Sequence, residues 1–185
     1  MINDITVVDN ALKHPDILLE KIPQIDFWEN QYHPDNVAAG WEGLRSKEIA
    51  TIDKDFFSSV VNECFDKLFT VCYNDNDRRI QTQGTFMSYL HYLTKNNQPK
   101  SSWLHKDQAV ALAGVLYLSK SPSENTGTEI WRNTGEKVIV PNCFNRFVLY
   151  RADYDHRPLQ GFGEDKSNAR LTLNIFIKEY SIHIC

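Results

Sequence analysis

The chain lacks any apolar run approaching the ~18 residues that a membrane-spanning helix needs, so none of its 185 residues is expected to cross a membrane. Cysteine is scarce: the four, at 64, 72, 143 and 185, include no CxxC pair, which excludes the usual thiolate metal knuckles. Cys64 and Cys72 fall on an apolar helical stripe and read as small core residues. A reduced, cytoplasmic protein is the expectation. The first ten residues carry two Asp and no basic residue, so no secretory leader is expected there. An excess of either charge is also missing. Twenty Lys and Arg stand against 24 Asp and Glu, a net charge of -4, and the only adjacent basic pair is Arg78-Arg79. Bulk attraction to a polyanion is therefore absent, and duplex nucleic acid is disfavoured as a partner without being excluded. No unit recurs at about 20 to 50 residues, which excludes a repeat protein.

What the chain does have is 42% hydrophobic and 12% aromatic content. At this length that supports one core and one domain, residues 1–185. The pattern divides it unequally. Residues 1–83 read as a helical support and entry segment, and 84–178 as a strand-rich core. Ile5 to Val8 reads as a short strand, and His14-Pro15-Asp16 opens a helix to about Ile22. Residues 23–52, with Trp28, Tyr32 and Trp41, form an irregular packed connection. Asp53 or Asp55 caps a longer helix whose apolar residues fall at 56, 57, 60, 61, 64, 65, 68, 69 and 72, the stripe of a helix laid on a sheet. Asn74-Asp75-Asn76-Asp77 ends it. Strand-like segments follow at 85–93, 110–118, 128–131, 137–140, 146–151 and 170–177, the third and fourth able to pair as a hairpin. Helices first and many short strands afterwards predict a mostly β antiparallel sandwich or barrel, with helices on one outer face.

The last strand is the most informative segment. Leu171, Leu173, Ile175 and Ile177 alternate with Arg170, Thr172, Asn174 and Phe176. One reading sends the polar set to solvent. The other, for a barrel covered by helices, puts the apolar set under the helices and the polar set into a cavity. On that second reading Arg170 and Thr172 are placed to bind an anion.

Metal ligands are the next question. Six His and fourteen Asp predict about half of one HxD by chance, and the chain has three: 14–16, 33–35 and 105–107. The first two carry a central Pro and fit turn or cap chemistry. The third lies between strand-like segments, where His105 and Asp107 project to one side of an extended chain and offer two adjacent ligands. His156, just after a later strand, is a candidate third. Two His and one carboxylate on one face of an octahedron leave the opposite positions open, the arrangement of non-haem Fe(II) oxygenases. His156 also fits a plain loop histidine paired with Asp153 or Asp155. Arg170, fourteen residues on, tips the balance toward the metal.

An ordered set of motifs then accumulates. HxD follows a strand, and Gly114-Val115-Leu116-Tyr117-Leu118-Ser119 and Gly127-Thr128-Glu129-Ile130-Trp131 come next. Phe144 to Tyr150, the distal His156 and Arg170-Leu171-Thr172-Leu173-Asn174-Ile175-Phe176 complete the set. Over about residues 84–178 this resembles the Fe(II)/2-oxoglutarate-dependent dioxygenase superfamily, especially prolyl-hydroxylase-like and uncharacterised bacterial or phage members. The resemblance implies a double-stranded β-helix (jelly-roll) fold, Fe(II), 2-oxoglutarate as co-substrate, and O2. It assigns His105, Asp107 and His156 to iron, Arg170 to the distal carboxylate of 2-oxoglutarate and Thr172 to a hydroxyl beside it. The Tyr of the prolyl-hydroxylase pattern falls on Tyr92, although the Pro-Gly turn that usually follows it is missing. Tyr89 and Tyr92 have opposite strand parity, so one at most lines the cavity. Asp153 or Asp155 is expected to orient His156. Trp103 and Trp131 flank the site, either as substrate walls or as packing aromatics. The implied reaction is hydroxylation of a peptide, amino acid or small metabolite, with release of succinate and CO2. Two alternatives stay open: a cupin-like metal enzyme that uses no 2-oxoglutarate, and a jelly-roll binding module with a vestigial site.

Overall fold

Alternation along residues 170–177 organises the molecule. The computed structural model describes residues 4–34, 41–73 and 80–184, with backbone alone at 69–73, 80–83 and 180–184. The strands are β1 (Ile5–Val8), β2 (Trp28–Glu29), β3 (Leu44–Arg45), β4 (Ile80–Leu93), β5 (Leu112–Tyr117), β6 (Gly127–Trp131), β7 (Lys137–Pro141), β8 (Phe147–Arg151), β9 (Asp155–Pro158) and β10 (Arg170–Ile184). Two α-helices, α1 (Pro15–Lys21) and α2 (Lys54–Tyr73), precede β4. A seven-stranded sheet runs β1-β8-β5-β10-β4-β3-β2, and a three-stranded sheet runs β7-β6-β9. All pairings are antiparallel. The expected hairpin is there, with Ile130 opposite Val138.

In β10 the apolar set goes under the helices. Leu171, Leu173, Ile175 and Ile177 join Leu90, Leu116, Phe147 and Leu149, and Phe57, Val61, Cys64 and Leu68 of α2 cover them. Each such side chain contributes roughly 1.5–3 kcal/mol of burial free energy, which fixes the strand's register, since a slip of one residue would send this set to the other face. The α2 stripe is the predicted one as far as Leu68. Asp53 caps the helix, its Oδ1 accepting the Phe56 N–H at 3.2 Å, and Lys21 of α1 ties to the same carboxylate at 2.8 Å. The expected stop at Asn74–Asp77, the basic pair Arg78-Arg79 and Asp35 lie outside the described residues.

The other face of the large sheet looks at the small sheet. Between them Ala113, Val115, Tyr117, Val148 and Tyr150 pack on Ile130 and Val140. Across the large sheet one row of opposed residues reads Tyr117, Thr172, His91 and Arg45, from β5 through β10 and β4 to β3. Every member of that row shares the interior face.

Two differences from expectation have simple causes. The connection 23–52 carries β2 and β3, which are only two residues long each and so show no alternation to read. His156 lies in strand β9 rather than in a loop, because Asp155 to Pro158 pair with Thr128 to Trp131. Its sequence, Asp-His-Arg-Pro, has no β-forming residue to announce it.

Candidate metal centre and the buried arginine

His105, Asp107 and His156 come together although about 50 residues separate the first two from the third in the chain. The backbone does it. His105 and His156 form an isolated antiparallel bridge, with N–H to carbonyl distances of 3.1 and 2.8 Å, and the Asp107 N–H donates to the Ala152 carbonyl at 3.0 Å. One ligand atom from each side chain falls within 4.8 Å of the others. Nε2 of His105 is 3.6 Å from Asp107 Oδ1, and Nε2 of His156 is 3.3 Å from Oδ2. Two ligands at right angles on a metal with ~2.1 Å bonds stand about 3 Å apart, and the two imidazole-to-carboxylate distances of 3.6 and 3.3 Å approach that spacing.

Both imidazoles are oriented by the same device. Nδ1 of His105 meets the Trp103 carbonyl at 2.7 Å, and Nδ1 of His156 meets the Tyr154 carbonyl at 3.0 Å. A carbonyl can only accept, so each Nδ1 carries the proton and each Nε2 turns a lone pair toward Asp107. Asp107 Oδ2 is buried and accepts no hydrogen bond of acceptable geometry. A carboxylate that faces an imidazole lone pair with each oxygen, one of them buried, lacks the partner that a cation would be. Burial alone would raise the Asp107 carboxyl, but the flanking imidazoles outweigh it and hold it well below the usual carboxylate range. His105 is pushed up in turn, chiefly because its ring, once protonated, donates Nε2–H to the Asp107 carboxylate. The cluster opens on one side, since the His105 side chain is 51% exposed and that of His156 only 7%. Ala109, two residues beyond Asp107, has φ of 61°, a left-handed turn that costs a non-glycine residue roughly 1 kcal/mol.

Arg170 begins β10 on the interior face and is buried. One guanidinium nitrogen donates to the Gly127 carbonyl at 2.7 Å and lies 3.5 Å from Thr128 Oγ1, while Nε has no acceptor. Gly127 has φ of 142°, and a Cβ there would sit 2.2 Å from the Val140 carbonyl, so only glycine presents this carbonyl to Arg170. Among the described residues no carboxylate pairs with the guanidinium, and burial depresses its pKa. A cation in this condition has room for an anion to complete it. Tyr150 links the two features. Its ring lies 4.9 Å from that of His156, and its hydroxyl feels both the Asp107 charge and the Arg170 charge.

Solved structures share this architecture. A prolyl hydroxylase from Trichoplax adhaerens, in complex with a hypoxia inducible factor oxygen degradation domain peptide fragment, matches with a TM-score of 0.59 and 14% identity, over 95% of this chain and 83% of its own. A prolyl-4-hydroxylase from Pseudomonas putida matches with 0.56 and 12%, over 95% and 93%. An oxidoreductase of the 2OG-Fe(II) oxygenase family from Burkholderia pseudomallei matches with 0.58 and 11%, over 96% and 84%. The chain has the double-stranded β-helix fold of these oxygenases. Neither a protein-family profile nor a curated protein matches the sequence.

Within the double-stranded β-helix the remaining candidates sort by strand parity. Thr172 lies on the interior face near Arg170, fully buried, its hydroxyl donating to the His91 carbonyl at 3.3 Å. Tyr92 does not line the interior. It stands opposite Leu171, on the helix side, edge-on to Phe27 at 5.0 Å. Tyr89, opposite Asn174, takes the interior place and meets Phe176 there. Neither acid expected to orient His156 does so: Asp153 is held by Arg151 at 2.7 Å, and Asp155 faces Lys106 at 3.8 Å. Short imidazole-to-carbonyl bonds leave them no role there. Trp131 sits on the outer face of the small sheet, its indole N–H donating to Glu129 at 2.8 Å. With Leu104, Lys106 and Asp155 it lines an open groove of about 420 Å³ that includes none of the three cluster residues. Neither His14 nor His33, from the other two HxD motifs, joins the cluster. His14 stands at the N-cap position of α1 without a side-chain capping bond, and His33 is buried with Nε2 2.9 Å from the Ser46 carbonyl, between Trp28 and Trp41.

Three interior residues escaped the sequence reading. Tyr117 donates to Thr128 at 2.7 Å beneath Arg170, Tyr150 abuts His156, and Arg45 shares their face. For Tyr117 a signal existed in the register with Thr172, but β5 is buried on both faces and its apolar run hides the alternation.

Proposed function

We propose that the protein is an Fe(II)- and 2-oxoglutarate-dependent oxygenase that hydroxylates a peptide, amino acid or small metabolite, with release of succinate and CO2. The observation that carries this reading is the convergence of the His105, Asp107 and His156 donors in a fold that also buries Arg170, which among the described residues has no carboxylate partner. The donor set fits the ion: two neutral imidazole nitrogens and one carboxylate on one side leave the other positions open, as in non-haem iron oxygenases. When bound, Fe(II) together with 2-oxoglutarate and O2 supplies the oxidising power for C–H hydroxylation.

The chain's own residues do the rest. His105, Asp107 and His156 hold the ion, with Trp103 and Tyr154 carbonyls fixing the imidazoles. Arg170 receives the distal carboxylate of 2-oxoglutarate, where a bidentate guanidinium pair in a dry interior gives both strength and orientation. The hydroxyls of Thr172 and Thr128 stand beside it. Val115, Ile130, Val148 and Tyr150 exclude water from the space between. The cupin-like alternative leaves Arg170 without a purpose. Among the described residues no helix is long and apolar enough to cross a membrane, and a cytoplasmic setting accords with the unpaired Cys64 and Cys143.

The deciding experiment is anaerobic reconstitution with Fe(II), followed by succinate measurement after O2 is admitted, with and without candidate substrates. The expected result is one equivalent of iron per chain and succinate formation that depends on Arg170. Absence of iron binding, or succinate formation unaffected by Arg170→Gln, overturns the reading.

A further inference from the structure

A second guanidinium, half-buried, stands on the interior face of the large sheet. Arg45 is in register with His91, which is in register with Thr172, so it lies on the same face as the Arg170 end of β10. Its guanidinium carbon is 4.3 Å from the ring centre of Trp41, 5.2 Å from Tyr89 and 5.9 Å from Phe176. Its Nε is buried and has no acceptor, and among the described residues no carboxylate comes within ion-pairing distance. The Arg45 charge is felt by His105 and Asp107 of the metal cluster. Asp107 does not answer it, since both of its oxygens face the imidazoles. The residue as a whole is half-buried, and ring faces offset only part of the cost of withdrawing its Nε from water without an acceptor.

What Arg45 lacks is an anion, and Arg170 is already committed to the co-substrate in the proposed reaction. We propose that Arg45 anchors a carboxylate on the primary substrate, so that the enzyme acts on a small carboxylic acid. This rests on the oxygenase reading and narrows it. Carboxylate is favoured over phosphate because one planar guanidinium matches a carboxylate with two parallel hydrogen bonds, and among the described residues no second cation stacks on the same rings. Lys47 is over Trp28 instead, at 5.9 Å, and His91 is held neutral by burial, its Nε2–H donating to the Glu42 carbonyl at 2.5 Å. A small acid is favoured over a peptide's interior because the group to be bound ends inside the cage of Trp41, Tyr89 and Phe176.

The test uses full-length protein loaded with Zn(II), which has no redox chemistry, and with 2-oxoglutarate. Free L-amino acids and short aliphatic and aromatic carboxylic acids are screened by ligand-observed NMR, each beside its carboxamide. The expected result is at least one acid that binds, with its amide weaker by about tenfold or more. Arg45→Gln weakens that acid by a similar factor, Arg45→Lys by less, and 2-oxoglutarate affinity stays within about twofold in both. The proposal is overturned if no acid binds the wild type, if acid and amide bind alike, if Arg45→Gln changes nothing, or if that variant loses 2-oxoglutarate instead. Should Arg45→Gln fail to fold, the Lys variant and the acid–amide comparison in the wild type still decide. If 2-oxoglutarate itself fails to bind the wild type, the oxygenase reading falls, and the same screen on metal-free protein judges Arg45 separately.

Discussion

Replacing Arg170 by Met should make the metal-free protein more stable and useless to 2-oxoglutarate. The guanidinium is buried, has no carboxylate partner, and carries an Nε with no acceptor. Desolvating such an ion costs several kcal/mol. Against that stand one hydrogen bond to the Gly127 carbonyl, worth roughly 1–2 kcal/mol, and a contact 5.7 Å from the Tyr117 ring, worth about 1 kcal/mol. Losing the bond does not strand the Gly127 carbonyl, because the Leu159 N–H also donates to it at 3.0 Å. Met has nearly the same length and fills the space. The net expectation is a gain of about 2 kcal/mol, which for a chain of this size is roughly 4–8 °C in Tm. Urea or thermal unfolding of both proteins, without metal, measures it. Wild type should then gain about 2.7 kcal/mol from Fe(II)-supported 2-oxoglutarate at a hundred times its Kd, and Arg170→Met should gain nothing. A variant destabilised by more than about 1 kcal/mol and still stabilised by 2-oxoglutarate would mean that Arg170 is a structural cation, and the reasoning fails.

Other consequences follow from the same geometry. Asp107→Ala should weaken anaerobic Co(II) or Fe(II) binding by a hundredfold or more, on the order of what losing a charged ligand costs, read by Co(II) absorbance. In metal-free protein Asp107 raises the His105 pKa above 6.5, so that pair stabilises the fold below pH ~6.5 and the contribution fades as pH rises through the raised value. A urea series should show wild type losing ground to His105→Ala as pH rises above ~6.5, with metal affinity rising over the same interval. Tyr92→Phe should leave 2-oxoglutarate affinity within about twofold, because the ring faces Phe27; a larger loss by calorimetry would put Tyr92 in the interior after all. Gly114→Ala would place a Cβ 2.8 Å from the Phe147 ring, and overpacking there should cost about 1–3 kcal/mol by urea titration.

Much of this was legible because two periodicities happen to be clean. The α2 stripe and the β10 alternation each state which side is buried, and together they place the polar residues of β10 in the interior. The HxD pair at 105–107 was readable by position between strands, and the other two by their prolines. Illegible were features whose signal is not in the residues that display them. Strand β9 exists because β6 pairs with it, and Tyr92 and Tyr89 differ only in parity, which the sequence specifies while leaving open which parity faces in. Arg45 belongs to a two-residue strand with no period at all, and its burial comes from Trp41, Tyr89 and Phe176, which are scattered over more than 130 residues. Orientation of His156 by its own i-2 carbonyl is a backbone contact, and no side-chain pattern can foretell it.

The paired use of i-2 carbonyls at His105 and His156 has a further meaning. Each ring is locked by its own chain, and the two segments are laced together by main-chain bonds that owe nothing to an ion. The seat is thus finished when the polypeptide finishes folding. On the proposed reading, loading becomes a matter of supply and chelation rather than of refolding, and protein made without its ion would stay intact and idle, ready to be switched on when the ion arrives.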